Sequence, residues 1–258
     1  MQSILLFVPA EAAEPGRGAN RYAVELARRI GAHLTAFVVN LDVTTPGREE
    51  NADAFAARLN GIAGERGVPI KTLTRHTHAI GIHEVVAEHA RLHDLVVIGC
   101  DNQGILTERA VAEHLLFDSG RPVLVVPADY HGSTEVNTAL VGWDNTRAAA
   151  RAIGDAKPLL KSAETILLTV DDDKQIRGDV NREELVAALS LRGLRAGTAA
   201  VQRGSRGVAQ VIQDEAAACG ADLLVMGAYG HSRLHRFVLG SATSGLLDAP
   251  RLPTLLSH

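Results

Sequence analysis

The sequence predicts an α/β protein made of two doubly wound domains in tandem, each with a five-stranded parallel sheet. Three observations carry this reading. Short aliphatic runs of strand length alternate along the chain with amphipathic runs of helical period, an order that implies right-handed crossovers and parallel pairing. The order restarts near residue 139, so five strands and four helices occur twice. The chain is 46% hydrophobic but only 3% aromatic, an aliphatic composition that suits sheets buried on both faces. At 258 residues it accommodates two domains of about 130 residues each, expected at 1–130 and 136–258.

In the first copy, residues 4–8 read as a strand. Residues 20–30 follow, with Tyr22, Ala23, Leu26, Ala27 and Ile30 at helical spacing and Gly31 as the stop. A strand at 33–39 leads to a polar-faced helix at 48–66, which carries Ala54, Phe55, Leu59 and Ile62 on one side and ends at Gly67. A strand at 70–77, a helix at 82–92, a strand at 94–98, a helix at 108–117 and a strand at 122–126 complete the domain. Residues 128–138 are polar and turn-rich and make a linker.

The second copy repeats the series. Strands are expected at 139–143, 165–170, 197–202, 222–226 and 253–256, and helices at 146–160, 181–191, 205–219 and 241–248. The fourth strands match best: His93-Asp94-Leu95-Val96-Val97-Ile98-Gly99 aligns with Ala221-Asp222-Leu223-Leu224-Val225-Met226-Gly227. Pro122 follows Asp94 by 28 positions and Pro253 follows Asp222 by 31, so the second copy carries three more residues between strand and strand.

Those residues fall in a glycine-rich loop that joins a buried strand to a helix start. Backbone N–H groups at such a helix start lack intrahelical partners, and the helix dipole adds positive charge there. Gly227 and Gly230 can take positive φ or admit a ligand close to the backbone. Ser241 can cap the helix or offer its hydroxyl to a phosphate. His231, Arg233, His235 and Arg236 lie in the same loop, where Arg can bind phosphate bidentately; for His235 and Arg236 a solvated loop face is the simpler reading. In the first copy Arg109-Ala110 align with Gly240-Ser241. An arginine at the glycine position is expected to fill the space beside a phosphate.

The spacing of Gly227, Gly230, Gly240 and Ser241 behind an apolar strand resembles the ATP-binding signature of the universal stress protein family. The resemblance implies a Rossmann-like, adenine nucleotide alpha hydrolase-like fold for both copies. It also implies roles for particular residues. Asp144, which follows the first strand of the second copy, matches a family aspartate that contacts adenine or ribose, beside Trp143. Val170 and Met226 match apolar walls of the pocket. Gly227, Gly230, His231, Arg233, Gly240, Ser241, Ala242 and Thr243 fall in the phosphate loop and the helix start behind it. Read without the resemblance, Asp144 serves equally well as a cap for the next helix, and Val170 as core. The first copy has Phe7-Val8-Pro9-Ala10 where the second has its aspartate, and so lacks the carboxylate.

The expected cofactor is therefore ATP, with or without Mg²⁺ shared with solvent, at about one per chain in the second copy. The family resemblance implies a stress-response binding module with at most slow hydrolysis. There is no GxxxxGK[ST] loop, no GxGxxG fingerprint, and no residue evidently placed to orient a water. An adenylating enzyme of related fold and a nucleotide-free interaction protein are the alternatives. The family also implies pairing of fifth strands, here as an intramolecular pseudo-dimer of the two domains, with a homodimer as a further option.

A formal charge of −4 and a pI near 6.3 give no basic field for nucleic acid or anionic lipid. Two cysteines, Cys100 and Cys219, make no disulfide framework. The first eight residues read as a strand rather than a signal peptide, and no run reaches the roughly 20 apolar residues of a membrane span, so a cytoplasmic location is expected. His76 with His78 on one strand face, and His89 with His93 on one helix face, form a weak zinc candidate without cysteine ligands.

Overall fold

The computed structural model describes residues 1–9, 14, 16–41, 49–77, 81–101, 106–173, 181–229 and 241–258. The chain divides into two units, Met1–Thr134 and Glu135–His258. Unit 1 runs β1 (Ser3–Pro9), α1 (Gly18–Ile30), β2 (His33–Leu41), α2 (Glu49–Glu65), β3 (Ile70–Thr77), α3 (Ile82–Ala90), β4 (Leu95–Ile98), α4 (Glu108–Asp118) and β5 (Val123–Val125). Its strand order is β3-β2-β1-β4-β5, and the strands are parallel.

Unit 2 repeats the series with β6 (Thr138–Gly142), α5 (Arg147–Leu160), β7 (Glu164–Val170), α6 (Arg182–Leu191), β8 (Arg195–Val201), α7 (Val208–Ala218), β9 (Leu223–Gly227), α8 (Ser241–Asp248) and β10 (Thr254–Ser257). Its order, β10-β9-β6-β7-β8, is the same, again all parallel. Both units are therefore doubly wound α/β domains of one topology.

Local chemistry sets the boundaries. Gly31 ends α1 at φ 67°, where its N–H donates to the Ala27 carbonyl, the left-handed cap that glycine adopts without strain. Thr107 and Thr146 start α4 and α5 by accepting from the N–H groups of Ala110 and Ala149. Asn181 and Glu184 form a reciprocal capping box at α6. All of β4 and β5 is buried, as expected of strands covered on both faces. No residue of the edge strand β8 is fully buried. The helix α3 closes at Ala90, so His93 lies beyond it rather than on a face shared with His89; its ring bonds the His89 carbonyl and the Thr35 hydroxyl, both at 2.9 Å.

The repeated aspartate has a structural task in both units. Asp94 accepts the N–H groups of Gln2 at 2.6 Å and Ser3 at 3.1 Å. Asp222 accepts those of Asn137 at 2.8 Å and Thr138 at 3.1 Å. Each carboxylate thus anchors the start of the first strand to the start of the fourth. Donation from Gln2 leads in holding Asp94 below the usual carboxylate range. Register also fixes the three-residue difference between copies. Val96 pairs with Val123, 27 positions on, whereas Leu224 pairs with Thr254, 30 positions on.

Candidate functional site

In unit 2 the chain winds from β6 through α5 to β7 on one side, while β9 lies on the other side of β6. This reversal is the topological switch point, and open α/β sheets bind ligands outside the carboxyl ends of the strands that flank it. The strands that end there are β6 and β9, with Gly142 opposite Met226. A Cβ on Gly142 would lie 3.2 Å from Met226 Cγ, so the absence of a side chain leaves room for the methionine. Met226 is itself 7% exposed.

Trp143 and Asp144 leave the end of β6. The Trp143 N–H donates to the Leu168 carbonyl at 2.8 Å and so stays tied to β7. Asp144 is half-buried, and its Oδ1 accepts the N–H of Thr146 at 3.2 Å and the Thr146 hydroxyl at 2.6 Å. Asn145 between them takes φ 58°, a left-handed conformation that asparagine tolerates. Thr146, not Asp144, is thus the helix cap; Asp144 is held in the turn before it. Val170 ends the adjacent strand β7, half-buried and opposite Val201.

The structure brings Trp143, Asp144, Val170, Met226 and Gly227 to neighbouring strand ends of one sheet. Gly230, His231, Arg233 and Gly240 lie outside the described residues. Ser241, Ala242 and Thr243 open α8, in which Thr243 is buried.

Of the two reasons expected for Gly227, the positive φ is not found, and packing supplies a further one. The residue is not among the glycines with positive φ. A Cβ there would meet the start of α5, lying 2.5 Å from the Ala148 carbonyl carbon and 2.9 Å from Ala148 Cβ. The glycine lets α5 seat directly against the end of β9. Beyond it, the Ala228 N–H donates to the Ser257 carbonyl at 2.7 Å, and the His258 Nδ1–H donates to the Ala228 carbonyl at 3.0 Å. These bonds pin the first residue past the strand, and sequence reading did not find them.

Unit 1 has a cavity at its corresponding strand ends, about 210 Å³ and lined by Val8, Pro9, Arg17, Gly18, Gly99 and Glu108 among others. It is smaller than the roughly 300–1,000 Å³ of ordinary small-molecule sites. Register confirms that Pro9 stands where unit 2 has Asp144, since Ile4 pairs with Leu95 as Ala139 pairs with Leu223.

The residue that fills this crevice is Glu108, not Arg109. Arg109 turns along its own helix to Glu113, 3.0 Å away. Glu108 reaches back, accepting the Asp101 N–H at 2.7 Å and facing the Gly99 N–H. Its Cδ lies 2.6 Å from where a Gly99 Cβ would be. Burial, opposed in part by the Asp101 N–H, pushes this carboxyl up to about 7. Sequence reading missed Glu108 because its partners lie seven and nine residues upstream, outside any helical or strand period.

Among the described residues no group of three His, Cys, Asp or Glu side chains is placed to hold a metal ion. The rings of His83 and His114 approach within 5.4 Å; burial first, then His114, lowers the His83 pKa. His78 lies outside the described residues.

The strand order defines unit 2 as a doubly wound α/β domain with its topological switch point between β6 and β9. Residues 135–258 match the family model described as Universal stress protein family, so unit 2 carries a domain of that family. The whole chain is similar in fold to a universal stress protein from Archaeoglobus fulgidus DSM 4304. Identity is 14%, 98% of this chain and 97% of that chain are covered, and the TM-score is 0.71. It is also similar to a protein described as functionally unknown from Pseudomonas aeruginosa PAO1, at 14% identity, with 100% of this chain and 92% of that chain covered and a TM-score of 0.66. At these identities the likeness shows the fold alone. A universal stress protein from Archaeoglobus fulgidus in complex with dAMP matches 49% of this chain and 98% of its own, at 18% identity and TM-score 0.36. No curated protein sequence matches the chain. Among the described residues no helix is long and apolar enough to cross a membrane.

Proposed function

We propose that unit 2 is an ATP-binding module of a cytoplasmic stress-response protein, with at most slow hydrolysis. The observation that carries this reading is the convergence of Asp144, Val170, Met226 and Gly227 on the switch-point strand ends. The donor set suits an adenine nucleotide. A half-buried carboxylate can accept from a ribose hydroxyl or a base N–H, and the Val170 and Met226 side chains offer an apolar wall. The first turn of α8, at Ser241, Ala242 and Thr243, supplies N–H groups without intrahelical acceptors for phosphate. Gly230, His231, Arg233 and Gly240 complete the loop, and any Mg²⁺ would be carried by the phosphates and solvent.

Trp143 is the chain's single tryptophan and adjoins Asp144, so its emission reports on the site. Titration with ATP should change that emission with saturation in the micromolar range, which needs about 8 kcal/mol. Asp144→Ala should weaken binding about 10- to 100-fold, the loss of a charge-assisted bond of about 1.5–3 kcal/mol. Emission unmoved by millimolar ATP, or undiminished affinity in the variant, would refute the assignment.

A further inference from the structure

We propose that Glu108 determines the specificity of the unit 1 crevice by occupying, with the chain's own carboxyl group, the main-chain donors that a phosphate would require. By sequence register Val111, Ala112, Leu115 and Leu116 of α4 correspond to Ala242, Thr243, Leu246 and Leu247 of α8, each 131 positions on, and all but Ala242 are buried. By that register Glu108 corresponds to Leu239, within the three-residue-longer loop of unit 2. Unit 2 therefore has no acidic residue to place there. In unit 1 the loop is short, and the first residue of α4 reaches the end of β4.

Three features make this an occupied donor site rather than a surface contact. The N–H groups of Gly99 and Asp101 both point to one carboxyl group, with Asp101 at 2.7 Å. Gly99 provides the space, because a side chain there would coincide with the carboxyl. The arrangement is closed from the other direction too, since the Glu108 N–H donates to the Asp101 carbonyl at 3.0 Å. The remaining charged groups lining the cavity, Glu14, Asp101 and Asp129 against Arg17, add net negative charge, and Arg17 is engaged by Glu14 at 3.5 Å and Asp129 at 3.4 Å. An incoming phosphate meets a carboxyl in its place and carboxylates around it.

The test uses the full chain and inorganic phosphate as the probe, read by the amide resonances of Gly99 and Asp101. In the wild type, and in Glu108→Gln, which keeps an acceptor oxygen in place, neither resonance should move with phosphate up to about 20 mM. In Glu108→Ala both should shift with saturation, reflecting affinity at least tenfold tighter; Glu108→Ser is read identically if the alanine variant loses its native spectrum. Unmoved resonances in a folded Glu108→Ala or Glu108→Ser protein would overturn the proposal. So would equal shifts in the wild type. Unit 2 is read separately from the Gly227 and Ala228 amides, so failure of its nucleotide assignment leaves this outcome unaffected.

Discussion

The two units share one strand order, yet the glycine that ends the fourth strand of each is packed by different means. In unit 2 the end of β9 is covered by backbone, with α5 packed against Gly227 so closely that a methyl group has no room. In unit 1 the equivalent Gly99 faces a side chain, the Glu108 carboxyl. Unit 2 also places Asp144 where unit 1 has Pro9. In unit 1 a shorter loop and one acidic residue satisfy a strand-end donor from within the chain, on the same topology.

The largest effect that sharpens this contrast is expected in the pH dependence of stability. Glu108 is pushed from 4.5 up to about 7 in the folded chain, so between these values the folded state holds a proton that the unfolded state has released. Stability then falls as pH rises through that window and is lowest above it. Glu108→Gln removes the titration and should be more stable than the wild type above pH 7 by on the order of 3 kcal/mol. That advantage should vanish below about pH 4.5. Denaturant midpoints at pH 4.5, 6 and 8 check the prediction; a constant difference across them would contradict it.

A smaller effect separates the two glycines. Gly227→Ala forces a methyl group into the backbone at the start of α5 and should cost about 2–3 kcal/mol. Gly99→Ala collides with a side chain that can turn away, and should cost about 1 kcal/mol, mostly the loss of the Glu108 bonds. Equilibrium unfolding of the two variants gives the comparison directly. A double variant with Glu108→Ala should relieve most of the Gly99→Ala cost, and equal costs at both glycines would break the contrast.

Much of the fold was legible because its signals are local. Every expected strand and helix is present, and the ends that agree best are those with a chemical stop, such as Gly31 and Gly67, both in the left-handed region at φ 67°. The β8 ends shifted by one to two residues because that strand has no buried run to mark it. The helix at 205–219 begins later, at Val208, behind Gly207. The strand-end positions of Asp144, Val170 and Met226 were legible, because they follow from where β6, β7 and β9 stop. It was not legible at Glu108, whose bonds depend on how two strand ends and a helix start converge. Nor was the reason for Gly227, since its neighbour Ala148 is 79 positions away. Arg109 drew attention as the bulkier substitution, but its partner Glu113 lies on its own helix.

The most direct measurement is the nucleotide content of the purified full chain after acid extraction, compared with Gly240→Arg and Glu108→Ala. About one adenine nucleotide per chain is expected in the wild type and in Glu108→Ala, whose unit 1 still lacks a counterpart of Asp144, and almost none in Gly240→Arg. Undiminished occupancy in Gly240→Arg, or none in the wild type even after ATP is supplied, would contradict an open site in unit 2.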